Sequence, residues 1–111
     1  MPKSWGEIED SLSTMFAGSR YEAHAHGLVP VIEHLKRSAK FVHLEPGISL
    51  VNLTLSLSDR TTKIYIWCEK PELEYTVYFH DGEHSYDKTL TSLEGIVDIL
   101  LGYVSKLKEL A

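Results

Sequence analysis

The sequence predicts an α+β domain in which two N-terminal helices, an antiparallel meander sheet of about five strands and a C-terminal helix form two layers. Two observations predict this fold. Apolar residues alternate with polar ones through residues 51–86, which is the period of a β-strand with one buried face. Before and after that stretch, apolar residues recur at helical spacing instead. We find no repeat or linker, so residues 1–111 are expected to form a single domain, with the helices packed mainly on the apolar sheet face.

The N-terminal helices have recognisable start and stop signals. A Ser-x-x-Glu pattern, which fits a capping box, occurs at residues 4–7 and again at residues 19–22. Gly18 is placed to end the first helix. Gly27 and Pro30 interrupt the apolar stripe of the second, which predicts either one helix kinked near Pro30 or two short helices.

The strands are predicted from the turns that separate them. Residues 40–44 are expected to form a short first strand, because the Glu-Pro-Gly-Ile sequence at residues 45–48 matches a type II turn. Hairpin turns are then predicted at Asp59-Arg60, at residues 69–72 and at Asp81-Gly82. These turns separate the alternating segments 51–57, 64–68 and 73–79 from a last strand near residues 83–89.

The same turns predict the register of the sheet. A two-residue loop at Asp59-Arg60 places Leu55 opposite Ile64, and a loop at residues 69–72 places Ile64 opposite Val77. With this register, the apolar sets of neighbouring strands share one face. A slip of one residue in either hairpin would move one set to the opposite face and break that agreement.

The C-terminal helix is predicted from a Thr-x-x-Glu pattern at residues 91–94 and a long apolar stripe behind it. Gly95 and Gly102 lie on one edge of this helix. Glycine costs a helix about 1 kcal/mol relative to alanine, so close approach of another backbone is expected to compensate. That backbone belongs either to the first or second helix or to the same helix of a second copy, which leaves monomer and homodimer both open.

Composition and charge narrow the class of function. Sixteen acidic residues against eleven basic ones give a net charge of -5. This charge disfavours nucleic acid, whose binding depends on clustered Lys and Arg, and suits a basic protein partner. No apolar run approaches the roughly 20 residues that cross a bilayer, and the N-terminus lacks the apolar core of a signal peptide. A cytoplasmic location without membrane attachment is therefore expected, and the single cysteine, Cys68, is expected to be a buried thiol.

The polar face of the predicted sheet is the candidate functional site. Tyr65, Trp67 and Tyr78 stand there among polar neighbours, with Trp67 between Asn52 and Glu74 on the adjacent strands. Aromatic side chains with a polar tip are enriched at the centres of protein interfaces. The predicted binding residues are Tyr65, Trp67, Tyr78, Glu74 and Lys63. Such a surface would suit a non-enzymatic protein-binding module, such as an inhibitor or an immunity-type protein. The alternative is that the aromatic rings only pack across the strands or beneath a helix.

A second hypothesis is a small-ligand or metal site at the hairpin turn near residues 80–84. His80 and His84 flank this turn, and Asp81 lies between them. A structural metal usually needs four converging ligands, and the sequence shows no such set, so neither a metal nor another cofactor is expected. The serines lie outside nucleophile-elbow patterns, and we find no Gly-rich phosphate loop. An enzyme is therefore not expected.

Overall fold

The computed structural model describes residues 4–41, 43–57, 62–70 and 74–109. The helices in these ranges are α1 (Trp5–Met15), α2 (Glu22–Gly27), α3 (Val29–Lys36), a 3-10 helix (Ala39–Phe41) and α4 (Ile96–Glu109). The strands are β1 (Glu45–Ser49), β2 (Asn52–Ser56), β3 (Lys63–Lys70), β4 (Glu74–His80) and β5 (Ser85–Thr91). Neighbouring strands are antiparallel in the order β1-β2-β3-β4-β5, which confirms the predicted α+β meander. None of the described helices is long and apolar enough to cross a membrane.

One side of the sheet, here called the inner face, packs against the helices. Its side chains include Leu55, Ile64 and Val77, all fully buried as the alternation predicts. The helices contribute their apolar stripes to the same core, notably Ile8, Leu12, Ala25, Leu28, Ile32, Leu35, Ile96 and Leu100. The hydroxyl of Tyr75 in β4 donates a 2.6 Å hydrogen bond to the carbonyl of Gly27, which ties the sheet to the end of α2. Cys68 is buried, as predicted.

The N-terminal helices follow one predicted cap and not the other. Ser4 forms the predicted capping box with Glu7 at the start of α1. The second capping box is wrong, because the hydroxyl of Ser19 donates to the carbonyl of Phe16, at 2.8 Å, instead of capping α2. Of the two alternatives around Pro30, two short helices are found, and Pro30 occupies the first turn of α3. A proline there removes an amide that has no helical partner in any case.

The prediction for the first strand is wrong. Residues 39–41 form a 3-10 helix, and Pro46 and Gly47 lie inside β1 rather than in a turn. An edge strand tolerates proline because it needs fewer ladder hydrogen bonds. Gly47 is required by packing, since a Cβ there would lie 2.8 Å from the hydroxyl oxygen of Thr54 in β2. The turn into β2 falls instead at residues 50–51, between the paired residues Ser49 and Asn52.

The sheet register is confirmed in one hairpin and wrong in the next. Leu55 lies opposite Ile64 as predicted, although the Asp59-Arg60 turn lies outside the described residues. In the second hairpin Ile64 pairs with Phe79, and Val77 pairs with Ile66, a shift of two positions. The predicted loop at residues 69–72 begins too early, because β3 continues through Lys70 and an irregularity after Cys68 changes the register. Residues 71–72 of that loop lie outside the described residues. A shift of two leaves every side chain on its predicted face.

The β4–β5 connection is a hairpin with a longer loop than predicted. His80 pairs with Ser85, so the loop contains residues 81–84 and not Asp81 and Gly82 alone. Gly82 has φ +101, a conformation that glycine adopts without strain. The pairing of β4 with β5 shifts in register between Val77 and Phe79 of β4, as in a β-bulge. On β5, Asp87 lies in this irregular region and has φ +56.

The predicted cap at Thr91 is wrong, because the C-terminal helix begins only at Ile96, five residues farther on. In the turn that precedes the helix, the amide of Gly95 donates to the hydroxyl of Ser92, at 3.4 Å. A Cβ at Gly102 would meet no atom within 4 Å, so no element of the described chain approaches this glycine. The expectation that α1 or α2 packs closely there is wrong.

Candidate functional site

The side of the sheet opposite the helical core, here called the outer face, carries the residues that the sequence singles out. Alternation along β2, β3 and β4 places on it Asn52, Thr54, Ser56, Lys63, Tyr65, Trp67, Thr76, Tyr78 and His80. Tyr65, Trp67 and Tyr78 remain partly exposed. The aromatic rings are therefore accessible to a binding partner.

Tyr65 and Tyr78 form the middle of the outer face. They pair directly across β3 and β4, with their ring centroids 5.4 Å apart. The ring of His80 lies 5.2 Å from that of Tyr65, and the ammonium of Lys88 lies 5.6 Å above the ring of Tyr78. Partial burial, and secondarily the nearby Tyr65 hydroxyl, raise the pKa of Tyr78. Tyr78 is therefore a neutral hydrogen-bonding group at physiological pH.

Small polar side chains between the aromatic rings of the outer face are buried. Asn52, Thr54, Ser56 and Thr76 are each at most 9% exposed. The hydroxyl of Tyr78 donates to Oδ1 of Asn52 at 3.0 Å, while Nδ2 of Asn52 donates to the carbonyl of Ser49 at 3.2 Å. These two bonds fix the amide and the phenol ring together. The polar middle of the outer face is therefore ordered by hydrogen bonds.

Trp67 lies where the outer face meets the helices. It pairs with Thr76 rather than with Glu74, a consequence of the shifted register. Its ring stacks on the imidazole of His24 in α2, with centroids 4.5 Å apart. Nδ1 of His24 lies 2.6 Å from the carbonyl of Cys68, so this nitrogen carries the proton and donates it. His24 thus holds one side of the indole in place.

Two clefts meet at Trp67 and Asn52. The apolar cleft has a volume of about 280 Å³ and is lined by Phe16, Tyr21, Leu50, Val51, Asn52 and Trp67. The polar cleft has a volume of about 330 Å³ and is lined by Asn52, Trp67, Glu69, Thr76, Tyr78, Ser85 and Lys88. Trp67 is therefore the wall between an apolar and a polar concavity, a setting typical of interface hot spots.

The two charged residues predicted at the site lie apart from each other. Lys63 pairs with His80 at one end of the sheet, and Glu74 pairs with Lys70 at the other. Lys63 and Trp67 are four residues apart on β3, which corresponds to about 13 Å along a strand. The charged residues that share the polar cleft with Trp67 are instead Glu69 and Lys88. Glu69 accepts a 2.8 Å hydrogen bond from the hydroxyl of Thr76.

The residues of the alternative site at the β4–β5 turn are engaged in building that turn. Nδ1 of His80 accepts from the amide of Gly82 at 3.0 Å. Oδ1 of Asp81 accepts from the amides of His84 and Glu83, at 2.8 and 2.9 Å. These bonds lower the pKa of Asp81. The described residues contain no group of three or more His, Cys, Asp or Glu side chains arranged to hold a metal ion.

A larger groove of about 500 Å³ separates α4 from β5 and is lined by Phe79, Asp87, Lys88, Thr89, Asp98, Ile99, Gly102, Tyr103 and Lys106. Two of the charged residues that line this groove pair with each other, since Lys106 forms an ion pair with Asp87. The hydroxyl of Tyr103 donates to the carbonyl of Val77 at 3.0 Å and lies 2.7 Å from the hydroxyl of Thr89. This network joins α4 to the sheet, which is a structural role.

Sequence patterns did not point to several residues of the two clefts. Leu50 was not predicted because its positive φ of 54° is a conformation that leucine rarely adopts, so no turn preference identifies it. Phe16 and Tyr21 come from the segment around the α1–α2 connection, and only tertiary packing brings them to Trp67. Glu69 was assigned to a loop. Glu69 directly follows the alternating segment 64–68, and this adjacency was the available sign that β3 could continue past Cys68.

Comparisons of the chain with protein-family models, with curated proteins and with solved structures find no significant match. Inference about function therefore starts from the chemistry of the outer face and its clefts.

Proposed function

We propose that this protein is a non-enzymatic module that binds another protein through the outer face, with Trp67 at the centre of the contact. The observation that carries the proposal is the exposure of Tyr65, Trp67 and Tyr78 on a sheet face whose small polar residues are buried and hydrogen-bonded. Large aromatic side chains in such settings supply much of the binding energy of protein interfaces.

Prior ordering of these side chains supports the proposal. Trp67 is held against His24, and Tyr78 is held by Asn52, so both already occupy fixed positions. A partner would lose little side-chain entropy when it docks on rings that are already ordered.

The chain's net charge of -5 favours a basic partner. The proposal includes an inhibitor or immunity-type role, in which the protein covers the surface of a basic protein. It also includes a cytoplasmic location and a monomeric or homodimeric state.

Trp67→Ala tests the proposal. Stoichiometric protein partners are captured from a lysate of the native host with the wild-type chain, and their affinity is measured for wild type and variant. Loss of the indole should weaken binding by about 2 kcal/mol or more, which is a roughly thirtyfold rise in Kd. The capture itself identifies the partner, and the variant identifies the surface.

Trp5→Ala is the matched control, because it removes the same side chain from α1, where Trp5 is also half-buried against the core. Its Kd should equal that of the wild type. Equal losses in the two variants would attribute the effect to the fold and contradict the proposal. Unchanged affinity in Trp67→Ala would contradict it as well.

A further inference from the structure

The turn between β1 and β2 presents a leucine in an unusual conformation. Leu50 is 85% exposed and has φ +54. It occupies the first position of a two-residue loop, between the paired residues Ser49 and Asn52. Hairpin loops of this length commonly place glycine or asparagine at such a position, because other side chains are strained there. A strained backbone that presents an apolar side chain to solvent is a feature that the fold does not need, and such outliers are concentrated at functional sites.

Leu50 does not stand alone. Met15, Tyr21, Leu50 and Leu90 are the large apolar side chains exposed in the described part of the chain. Two of them, Leu50 and Tyr21, lie on the apolar cleft, which Phe16 and Trp67 also line. The volume of about 280 Å³ is large enough for one large side chain, and the apolar lining would exclude water from it.

A negative charge lies close to this cleft. Glu69 lines the polar cleft, on the other side of Trp67, and shares this cleft with Lys88, whose ammonium lies over the ring of Tyr78. One of its carboxylate oxygens accepts from Thr76, and no ion pair joins Glu69 to a Lys or Arg among the described residues. An exposed carboxylate beside an apolar cleft is complementary to a ligand that carries an apolar group next to a cation.

We propose that the apolar cleft receives one large aliphatic or aromatic side chain of a linear peptide segment, and that Glu69 binds a Lys or Arg adjacent to it. This inference rests on the proposed function and specifies which part of the partner carries the contact. The chain's net charge of -5 acts in the same direction, because it attracts a basic segment before contact.

Selection from a phage-displayed library of random peptides tests the inference. The full chain is immobilised, bound peptides are sequenced, and the affinity of the best synthetic peptide is measured by calorimetry. The expected peptides share a large apolar residue with a Lys or Arg beside it. Leu50→Asn should weaken the selected peptide at least about tenfold, as expected for a contact at a hot spot. Glu69→Gln keeps an acceptor for the Thr76 hydroxyl but removes the negative charge. The variant should therefore bind the selected peptide more weakly, and its peptide affinity should depend less on salt concentration.

Two features of the variants separate binding from folding. Asparagine tolerates positive φ better than leucine, so Leu50→Asn should melt at the same temperature as wild type or higher. Leu90→Asn is the matched control, because it removes an exposed leucine, 64% accessible, from β5 outside the apolar cleft. Its peptide affinity should equal that of the wild type.

Several results would overturn the inference. One is a selection that yields no peptide, or peptides that lack a large apolar residue beside a Lys or Arg. Another is a peptide affinity of Leu50→Asn equal to that of the wild type. A third is a loss of peptide affinity in Leu90→Asn as large as the loss in Leu50→Asn. A dimer that dissociates in Leu50→Asn while no peptide is selected would assign the cleft to a second copy instead.

The proposed function is judged separately. A captured partner that is lost by Trp67→Ala but retained by Leu50→Asn supports protein binding and rejects this cleft as the anchor site.

Discussion

The two faces of the sheet are built from the same strands but are ordered by different forces. On β3, Ile64 points inward and is fully buried among apolar side chains, whereas its neighbour Tyr65 points outward and remains partly exposed. On β4 the contrast involves two tyrosines. The hydroxyl of Tyr75 reaches a buried carbonyl of α2, and that of Tyr78 reaches the side-chain amide of Asn52 on the outer face. Apolar burial thus dominates the inner face, whereas the outer face combines hydrogen bonds with ring contacts and leaves its aromatic side chains partly exposed.

The largest expected effect is a truncation of the inner face. Leu55→Ala removes a fully buried side chain from β2 and should lower the free energy of unfolding by about 2–5 kcal/mol. Chemical denaturation of this variant and of Trp67→Ala measures the contrast, because the partly exposed indole should cost less than the leucine. Equal losses would mean that Trp67 belongs to the core and that the two faces do not differ as described.

The two tyrosines of β4 sharpen the comparison further. Tyr75→Phe deprives the buried Gly27 carbonyl of a donor and should cost about 1–3 kcal/mol, the penalty for a buried polar group that loses its partner. Tyr78→Phe removes a part-buried hydrogen bond that comes from a partly exposed side chain. It should cost about 0.5–1.5 kcal/mol, the net contribution of a typical hydrogen bond. Thermal unfolding of both variants measures the difference. A larger cost for Tyr78→Phe would reverse the assigned roles of the faces.

The smallest effect is expected at the β4–β5 loop, where both faces end. Backbone amides of His84 and Glu83 lower the pKa of Asp81. A carboxylate with a lowered folded-state pKa stabilises the fold above its unfolded value of about 3.9, and this contribution is lost as the pH falls through the folded value. Wild type should therefore melt above Asp81→Asn at neutral pH. The two melting temperatures should converge when the pH is lowered below 3.9 and through the lower folded pKa. A difference that is independent of pH would show that the charge of Asp81 contributes nothing.

Alternation of apolar residues was sufficient to predict the sheet and the buried faces of β2, β3 and β4, because these faces depend only on a period of two. It was insufficient for the β3–β4 register, since pairing Ile64 with Phe79 or with Val77 puts the same side chains inside. Turn preferences were misleading at Pro46 and Gly47, which fit a turn by residue type but lie in an edge strand. Edge strands relax the requirements that make proline and glycine rare in the middle of a sheet.

The candidate site was predictable only in part. The aromatic residues of the outer face were found because each is flanked along its strand by inward-facing apolar residues. The apolar cleft was not found, since it combines Phe16 and Tyr21 with a leucine in a conformation that leucine disfavours. Its assembly depends on how the α1–α2 segment packs beside the sheet. A one-dimensional pattern carries no information on such a contact.

The edges of the sheet have a consequence for how the protein behaves at high concentration. In β1, Pro46 contributes no amide donor, and in β5 the Asp87 region forms an irregular, charged stretch beside Lys88. Both features oppose the addition of a strand from another chain. These features therefore disfavour sideways growth into fibrils at the two edges where a meander sheet is most open to it.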